Sequence, residues 1–207
     1  DVDDPVTAWR DHSSSLKARA DYLNGKQYQA LKYTAPGTDL TIGLPAGHIW
    51  IGGGETNNQD VAYMPNIPTE EVFSMPHKYK VDGTVKSTTP LSYAGTLIDN
   101  FTVTFREGKI VDFSAEQGAD AFQKLIDLDE GARYLGEVAL APSTSPIAQT
   151  GRLFYETLYD ENASNHVAIG APYRTNLKGG PNMSDEEFAA AGGNDSITHV
   201  DFMIGST

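Results

Sequence analysis

The chain has 207 residues, is 39% hydrophobic and 21% charged, and carries 15 Lys and Arg against 28 Asp and Glu, a formal net charge of −13. That length allows one large domain with a substantial apolar core, and the negative balance argues against nucleic acid or an anionic membrane as a partner. The absence of cysteine excludes a disulfide framework, thiolate catalysis and sulfur-ligated zinc, so any metal must be held by His, Asp and Glu.

In chain order, "DPVTAWRDHSSSLKARADYLNG" reads as a capped amphipathic helix: Asp4 precedes Pro5 at a first helical position, Trp9, Leu16 and Leu23 recur at helical spacing, and Gly25 marks the end. From Leu31 to Ile51 short alternating runs, "LKYTA", "DLTIGL" and "HIWIGG", are broken by Pro36-Gly37 and Pro45-Ala46-Gly47 and predict strands. "GTLIDNFTVTFREGKIVDFSAE" predicts a hairpin, with Phe101, Val103 and Phe105 on one face, a turn at Glu107-Gly108, and Ile110 with Val111 returning. A second helix follows at "GADAFQKLIDLDEGARYLG", with Ala121, Phe122, Leu125, Ile126 and Leu128 at helical spacing up to Gly131. Ser184 and Glu187 form a capping-box pattern at "SDEEFAAAGG".

No stretch approaches about 18 apolar residues and no basic-then-apolar start occurs, so neither a membrane span nor a signal peptide is predicted and a cytoplasmic protein is expected. Strands that follow one another without regular βα alternation predict an α+β domain, with a largely antiparallel or barrel-like sheet and a few flanking helices. Residues 1–207 are expected to form a single domain. The chain begins at Asp1 and stops three residues past "DFMI", so it is expected to be a piece of a longer protein.

Among the histidines, His12 falls on the polar side of the first helix, His77 in a loop and His48 at an exposed strand start; none of them is expected to act in chemistry. His166, at the entrance of "VAIG", and His199 differ. In "THVDFMIG" the period of two places His199 and Asp201 on one strand face, with Val200 and Phe202 on the other. Such a pair can be a ligand pair for a divalent ion, a base with its orienting carboxylate, or a buried histidine hydrogen-bonded to its neighbour. Glu137 enters the apolar run "VAL" and needs a cation, a proton or a donor. At least one of Glu70 and Glu71, between Pro68-Thr69 and Val72-Phe73, turns inward if that strand is buried; otherwise Thr69 caps a helix or the pair lies on an exposed edge. Tyr173 can bring a phenol to the region of His166. These carboxylates and imidazoles suit a divalent metal with nitrogen and oxygen ligands.

The motifs "YMPNIPTEEVF", "GEVALAP", "LFYETLYDENASNHVAIGAPY" and "THVDFMIG", in this order, resemble the metal-binding C-terminal half of the thermophilic-type metallo-aminopeptidases, the family of aminopeptidases T, S and PepS. The resemblance runs from the first helix onward. It implies a fragment that lacks an N-terminal domain and a short C-terminal tail, two divalent ions (zinc or cobalt), peptide substrates with a free N-terminus, and a homodimer. It further implies Glu71, Glu137 as the bridge, His166, His199 and Asp201 as metal ligands, with Tyr173 at the active site and Glu70 as a base or an outer partner of the ligands. Two other readings compete with an active aminopeptidase: an inactive metal-binding and dimerising fragment, and an acidic β-rich domain that binds a ligand in a groove lined by "HIWIGGGE".

Overall fold

The structure is a computed structural model that describes residues 3–205. Helix α1 (Pro5–Lys26) starts where Asp4 accepts the Thr7 backbone N–H at 3.1 Å and buries Leu16 and Ala20. It does not stop at Gly25: the left-handed cap falls on Gln27, whose N–H closes on the Leu23 carbonyl.

A hairpin of β1 (Ala30–Ala35) and β2 (Thr38–Gly43) follows. "HIWIGG" departs from the strand expectation, since His48 and Ile51 make only isolated bridges, to Leu177 and Phe73. The backbone there is held instead by side chains: the Asn24 amide donates to the Trp50 carbonyl and accepts the Trp50 backbone N–H, and Asn176 donates to the Ile49 carbonyl. His48 is 3% exposed, contrary to the exposed strand start expected, because Leu177 and its own Pro45 carbonyl enclose it.

A small hairpin of β3 (Glu55–Thr56) and β4 (Ala62–Tyr63) leads to β5 (Val72–Ser74), β6 (Val81–Lys86), β7 (Leu91–Tyr93), β8 (Thr96–Arg106) and β9 (Lys109–Gln117). The β8–β9 hairpin forms as predicted, with Phe101, Val103, Phe105 and Ile110 buried, while Val111 is the extra residue of a bulge opposite Thr104 and Phe105 and points outward. After α2 (Ala119–Ile126) come β10 (Leu135–Leu140), the short α3 (Pro146–Gln149) and α4 (Thr157–Asp160), β11 (His166–Gly170), α5 (Asp185–Ala190) and β12 (His199–Met203). Helix α2 ends five residues before Gly131, leaving Leu128 exposed. Ser184 and Glu187 form the expected capping box on α5.

The strands pair antiparallel throughout. A six-stranded sheet runs β1-β2-β6-β8-β7 with β9 on β8, and a four-stranded sheet runs β12-β11-β10-β5. The α+β expectation with a largely antiparallel sheet therefore holds. Both sheets and both long helices share one apolar core, in which Phe101 of β8 meets Phe122 of α2 and Phe202 of β12 at ring distances of 5.4 and 5.3 Å. No helix among the described residues is long and apolar enough to cross a membrane.

The four-stranded sheet is two-faced. Toward the core it presents Val72, Leu135, Val138, Val167, Ile169 and Phe202. Its register aligns Glu137, Ala168 and Asp201 in one row of the opposite face, and Ala139, His166 and Met203 in the next. Strict alternation would put Leu135 and Glu137 on the same side. A bulge between them, with Gly136 as the extra residue, lets Leu135 enter the core while Glu137 faces away from it.

Candidate metal centre

Strand register brings four sequence-predicted residues together at one end of that face: Glu137 from β10, His166 from β11, and His199 and Asp201 from β12. Glu71 joins them from the residue before β5. His166 Nε2 lies 2.8 Å from Glu71 Oε2 and 3.5 Å from Glu137 Oε1. The other oxygen of Glu137 faces His199 Nε2 at 3.8 Å, and Asp201 Oδ1 lies 3.6 Å from that nitrogen.

Both imidazoles are aimed by their Nδ1 atoms. His166 Nδ1 bonds the Ser164 carbonyl at 3.0 Å and His199 Nδ1 the Ala171 carbonyl at 2.7 Å, which turns each Nε2 into the cluster. Fixing one ring nitrogen on a backbone carbonyl orients the other as a ligand.

Sequence reasoning missed Glu161. It sits on a short 3-10 turn, Glu161–Ala163, is 8% exposed, and groups with His166 and Asp201. Only the run "YDENAS" carried a signal: Asp160, Glu161 and Asn162 are all buried, an unusual fate for successive polar residues.

The electrostatics are those of crowded carboxylates. Burial, then the charges of Asp201 and Glu71, raise the Glu137 carboxyl to about 7 despite His166. Burial together with Asp201 and Glu71 raises Glu161 to about 9. Burial alone would lower both imidazoles, but Asp201 and Glu137 carry His199 up to about 9, and Glu71, Glu137 and Asp201 hold His166 well above its ordinary value. Burial opposes ionisation of Asp201, yet the neighbouring imidazoles of His199 and His166 keep it low.

Do these residues fit a metal? Glu71 Oε2, His166 Nε2 and Asp201 Oδ1 are buried atoms without an aligned hydrogen-bond partner. Buried polar atoms rarely go unsatisfied, and each of the three belongs to a group of side chains whose ligand atoms lie within 4.8 Å of one another. A hard or borderline divalent cation satisfies such a nitrogen and oxygen set. The fit is good.

A cavity of about 640 Å³ opens over the cluster. Glu55, Glu71, Glu137, Glu161 and Asp201 line it with His199, and among the described residues no Lys or Arg does; its apolar walls include Ile51, Tyr63, Phe73 and Leu158. Tyr173 stands at the rim, 54% exposed, its ring 5.3 Å from His199 and 5.9 Å from Phe73. Burial and then the Glu137 and Asp201 charges raise its phenol above the usual value, so it remains a proton donor at neutral pH. A larger groove of about 750 Å³ between α1 and the end of β10 has only Arg19 as a charged lining residue.

Glu70 goes elsewhere. Glu71 lines the cavity, whereas the Glu70 carboxylate does not and lies 3.5 Å from His12 Nε2. No helix begins at Thr69, whose carbonyl bonds His12 Nε2 at 2.7 Å. His12, on the polar side of α1, therefore packs against this segment.

The chain matches known proteins along its whole length. Aminopeptidase AmpS of Bacillus subtilis (strain 168) is 56% identical over 204 residues, 99% of this chain and 50% of that protein. Aminopeptidase T of Thermus aquaticus is 48% identical over 206 residues, again 50% of its length. The solved structure of wild-type AmpT from Thermus thermophilus superposes with a TM-score of 0.91 at 46% identity, covering 98% of this chain and 50% of that one. The chain thus spans about half the length of the relatives it matches. The profile of the thermophilic metalloprotease (M29) family matches residues 1–207, and the chain belongs to that family.

Proposed function

We propose that this chain is the metal-binding catalytic part of an aminopeptidase, with Glu71, Glu137, His166, His199 and Asp201, joined by Glu161, holding two divalent ions, zinc or cobalt. The observation that carries this reading is Glu137. Its two oxygens face different histidines, and it belongs to two groups whose ligand atoms lie within 4.8 Å of one another, Glu71–Glu137–His166 and Glu137–His199–Asp201. A carboxylate shared in this way is what a pair of ions needs as a bridge. Paired ions in such a site supply a water of near-neutral pKa and polarisation of the scissile carbonyl.

The chain's own groups do the rest. Tyr173, with its proton retained, donates a hydrogen bond to the oxygen on which negative charge develops. Glu55, the lining carboxylate not assigned to the ions, is left free to pair with a peptide's ammonium group, and no described Lys or Arg lines the cavity to receive a terminal carboxylate, which favours removal of N-terminal residues. Glu70, turned toward His12, is assigned to holding the Glu71 segment against α1 and not to taking up a proton. Residues 1–207 are proposed to be one domain of a longer enzyme, and a homodimer acting in the cytoplasm is proposed on family resemblance alone.

Dialysis against zinc or cobalt followed by metal analysis should find two ions per chain. Hydrolysis of an aminoacyl chromogenic substrate should then be lost with a chelator and with an N-acetylated substrate. A chain that takes up no ion, or cleaves the acetylated substrate equally well, refutes this reading. The half-length match favours a second one, a metal-binding and dimerising module that needs the rest of the longer protein to act. Full metal uptake without turnover would select it.

A further inference from the structure

Four of the grouped side chains are placed by strand register, but two are not. Glu137, His166, His199 and Asp201 lie on paired positions of β10, β11 and β12. Glu71 precedes β5, a three-residue edge strand whose last pair is Val72 with Leu140, so the ladder ends one residue short of it. Glu161 is on the 3-10 turn and belongs to no sheet. Side chains that must converge to within a few tenths of an ångström cannot be left to unpaired backbone.

Asn162 joins these two outlying segments. Its Oδ1 accepts the Glu70 N–H at 2.6 Å across 92 residues of sequence, and its Nδ2 donates to the Leu158 carbonyl at 2.7 Å. Its own carbonyl accepts the Ser145 hydroxyl at 2.8 Å. Both residues are 1% exposed. The residue after Glu161 thus grips the residue before Glu71, using an acceptor and a donor that only a side-chain amide presents together at this reach.

We infer that Asn162 is a positioning residue of the metal centre, whose amide sets the separation of Glu71 and Glu161 where the sheet cannot. The inference rests on the metal-binding reading above. Its consequence is selective. Loss of the amide disturbs the Glu71–Glu137–His166 and Glu161–His166–Asp201 groups and spares Glu137–His199–Asp201, which strand register and the Ala171 carbonyl hold without Asn162.

The test is a competition titration of zinc against a chromophoric chelator for the wild-type chain and for Asn162→Ala, Asn162→Asp and Ser145→Ala, with thermal unfolding of each. Asn162→Ala should keep one zinc at wild-type affinity and weaken the other by about 10- to 100-fold, the usual effect of losing an outer-shell partner. Asn162→Asp keeps the acceptor for Glu70 N–H but not the donor, and should recover part of that loss. Ser145→Ala removes the equally buried bond to the Asn162 carbonyl and the cap of α3 while leaving both bonds of the Asn162 amide; it should lower the melting temperature and leave both affinities intact. Two affinities that fall together in proportion to melting temperature, or that do not change in Asn162→Ala, overturn the inference. Wild-type chain that takes up no zinc overturns it together with the reading on which it rests.

Discussion

Gly136→Ala tests how Glu137 comes to face the cluster. A Cβ at this bulge position would lie 2.4 Å from the Gly170 carbonyl oxygen and 2.5 Å from the Ala171 carbonyl carbon and oxygen. That is roughly 1 Å inside ordinary contact. The facing backbone is pinned, since Gly170 donates to the Tyr134 carbonyl and Ala171 to the Thr198 carbonyl. The strain should cost about 1–3 kcal/mol, as overpacking in a tight interior does. The same displacement reaches two proposed ligands, Glu137 by the chain and His199 through its hydrogen bond to the Ala171 carbonyl. A shift of about 1 Å at a reacting centre lowers turnover by about 100-fold. Zinc affinity by chelator competition, turnover of an aminoacyl chromogenic substrate well below the melting point, and thermal unfolding measure the three effects. Gly25→Ala is the control: it lies in α1 with nothing within 4 Å of its would-be Cβ, and should be neutral or stabilise by up to about 1 kcal/mol. Wild-type affinity and turnover in Gly136→Ala would refute the assignment of Glu137's direction to the bulge.

Glu137→Ala should weaken both ions by more than about 100-fold, beyond the effect of an outer-shell loss; full retention of one ion would show that Glu137 does not bridge. Tyr173→Phe should keep both ions and lower turnover about 100- to 1,000-fold, the usual effect of losing one oxyanion donor, and a loss of metal with unchanged turnover per bound ion would reverse that role. The pH dependence follows from groups that hold protons more tightly when folded. For Glu137, Glu161, His166 and His199 the resulting stabilisation of the metal-free chain is complete below their ordinary values of 4.5 and 6.5, and it is lost as pH rises through about 7 for Glu137 and about 9 for Glu161 and His199. Asp201, held low, has the opposite sign and acts only in acid. The melting temperature of metal-free chain should therefore fall from pH 6 to 9, and the increment produced by zinc should grow, since binding displaces those protons. A flat metal-free profile, or an increment that shrinks with pH, would contradict the site electrostatics.

What could be read from the sequence was what neighbours in the chain decide. Asp4 before Pro5, the Ser184–Glu187 box, and the turn at Glu107 and Gly108, both with positive φ, are local chemistry. So is the shared face of His199 and Asp201, which needs only the period of a strand. The burial of His48 and the packing of His12 are not legible locally because what touches them, Leu177 and the Thr69–Glu70 segment, is far away in sequence. "HIWIGG" has a strand's composition, but its backbone partners include the side chains of Asn24 and Asn176. Glu161 was hidden for a related reason: a 3-10 turn has no apolar period to betray a buried face.

The row Glu137, Ala168, Asp201 has one further consequence. The outer two strands of three neighbours stand about 10 Å apart, and two carboxylates reaching inward across that gap leave room between them only because the middle strand contributes a single methyl. Ala168 is fully buried, and Ala139 and Gly170 are similarly spare on the same face. The chain thus specifies the volume for an ion by what it withholds from its centre strand, and Ala168→Leu would fill that volume while leaving every proposed ligand in place.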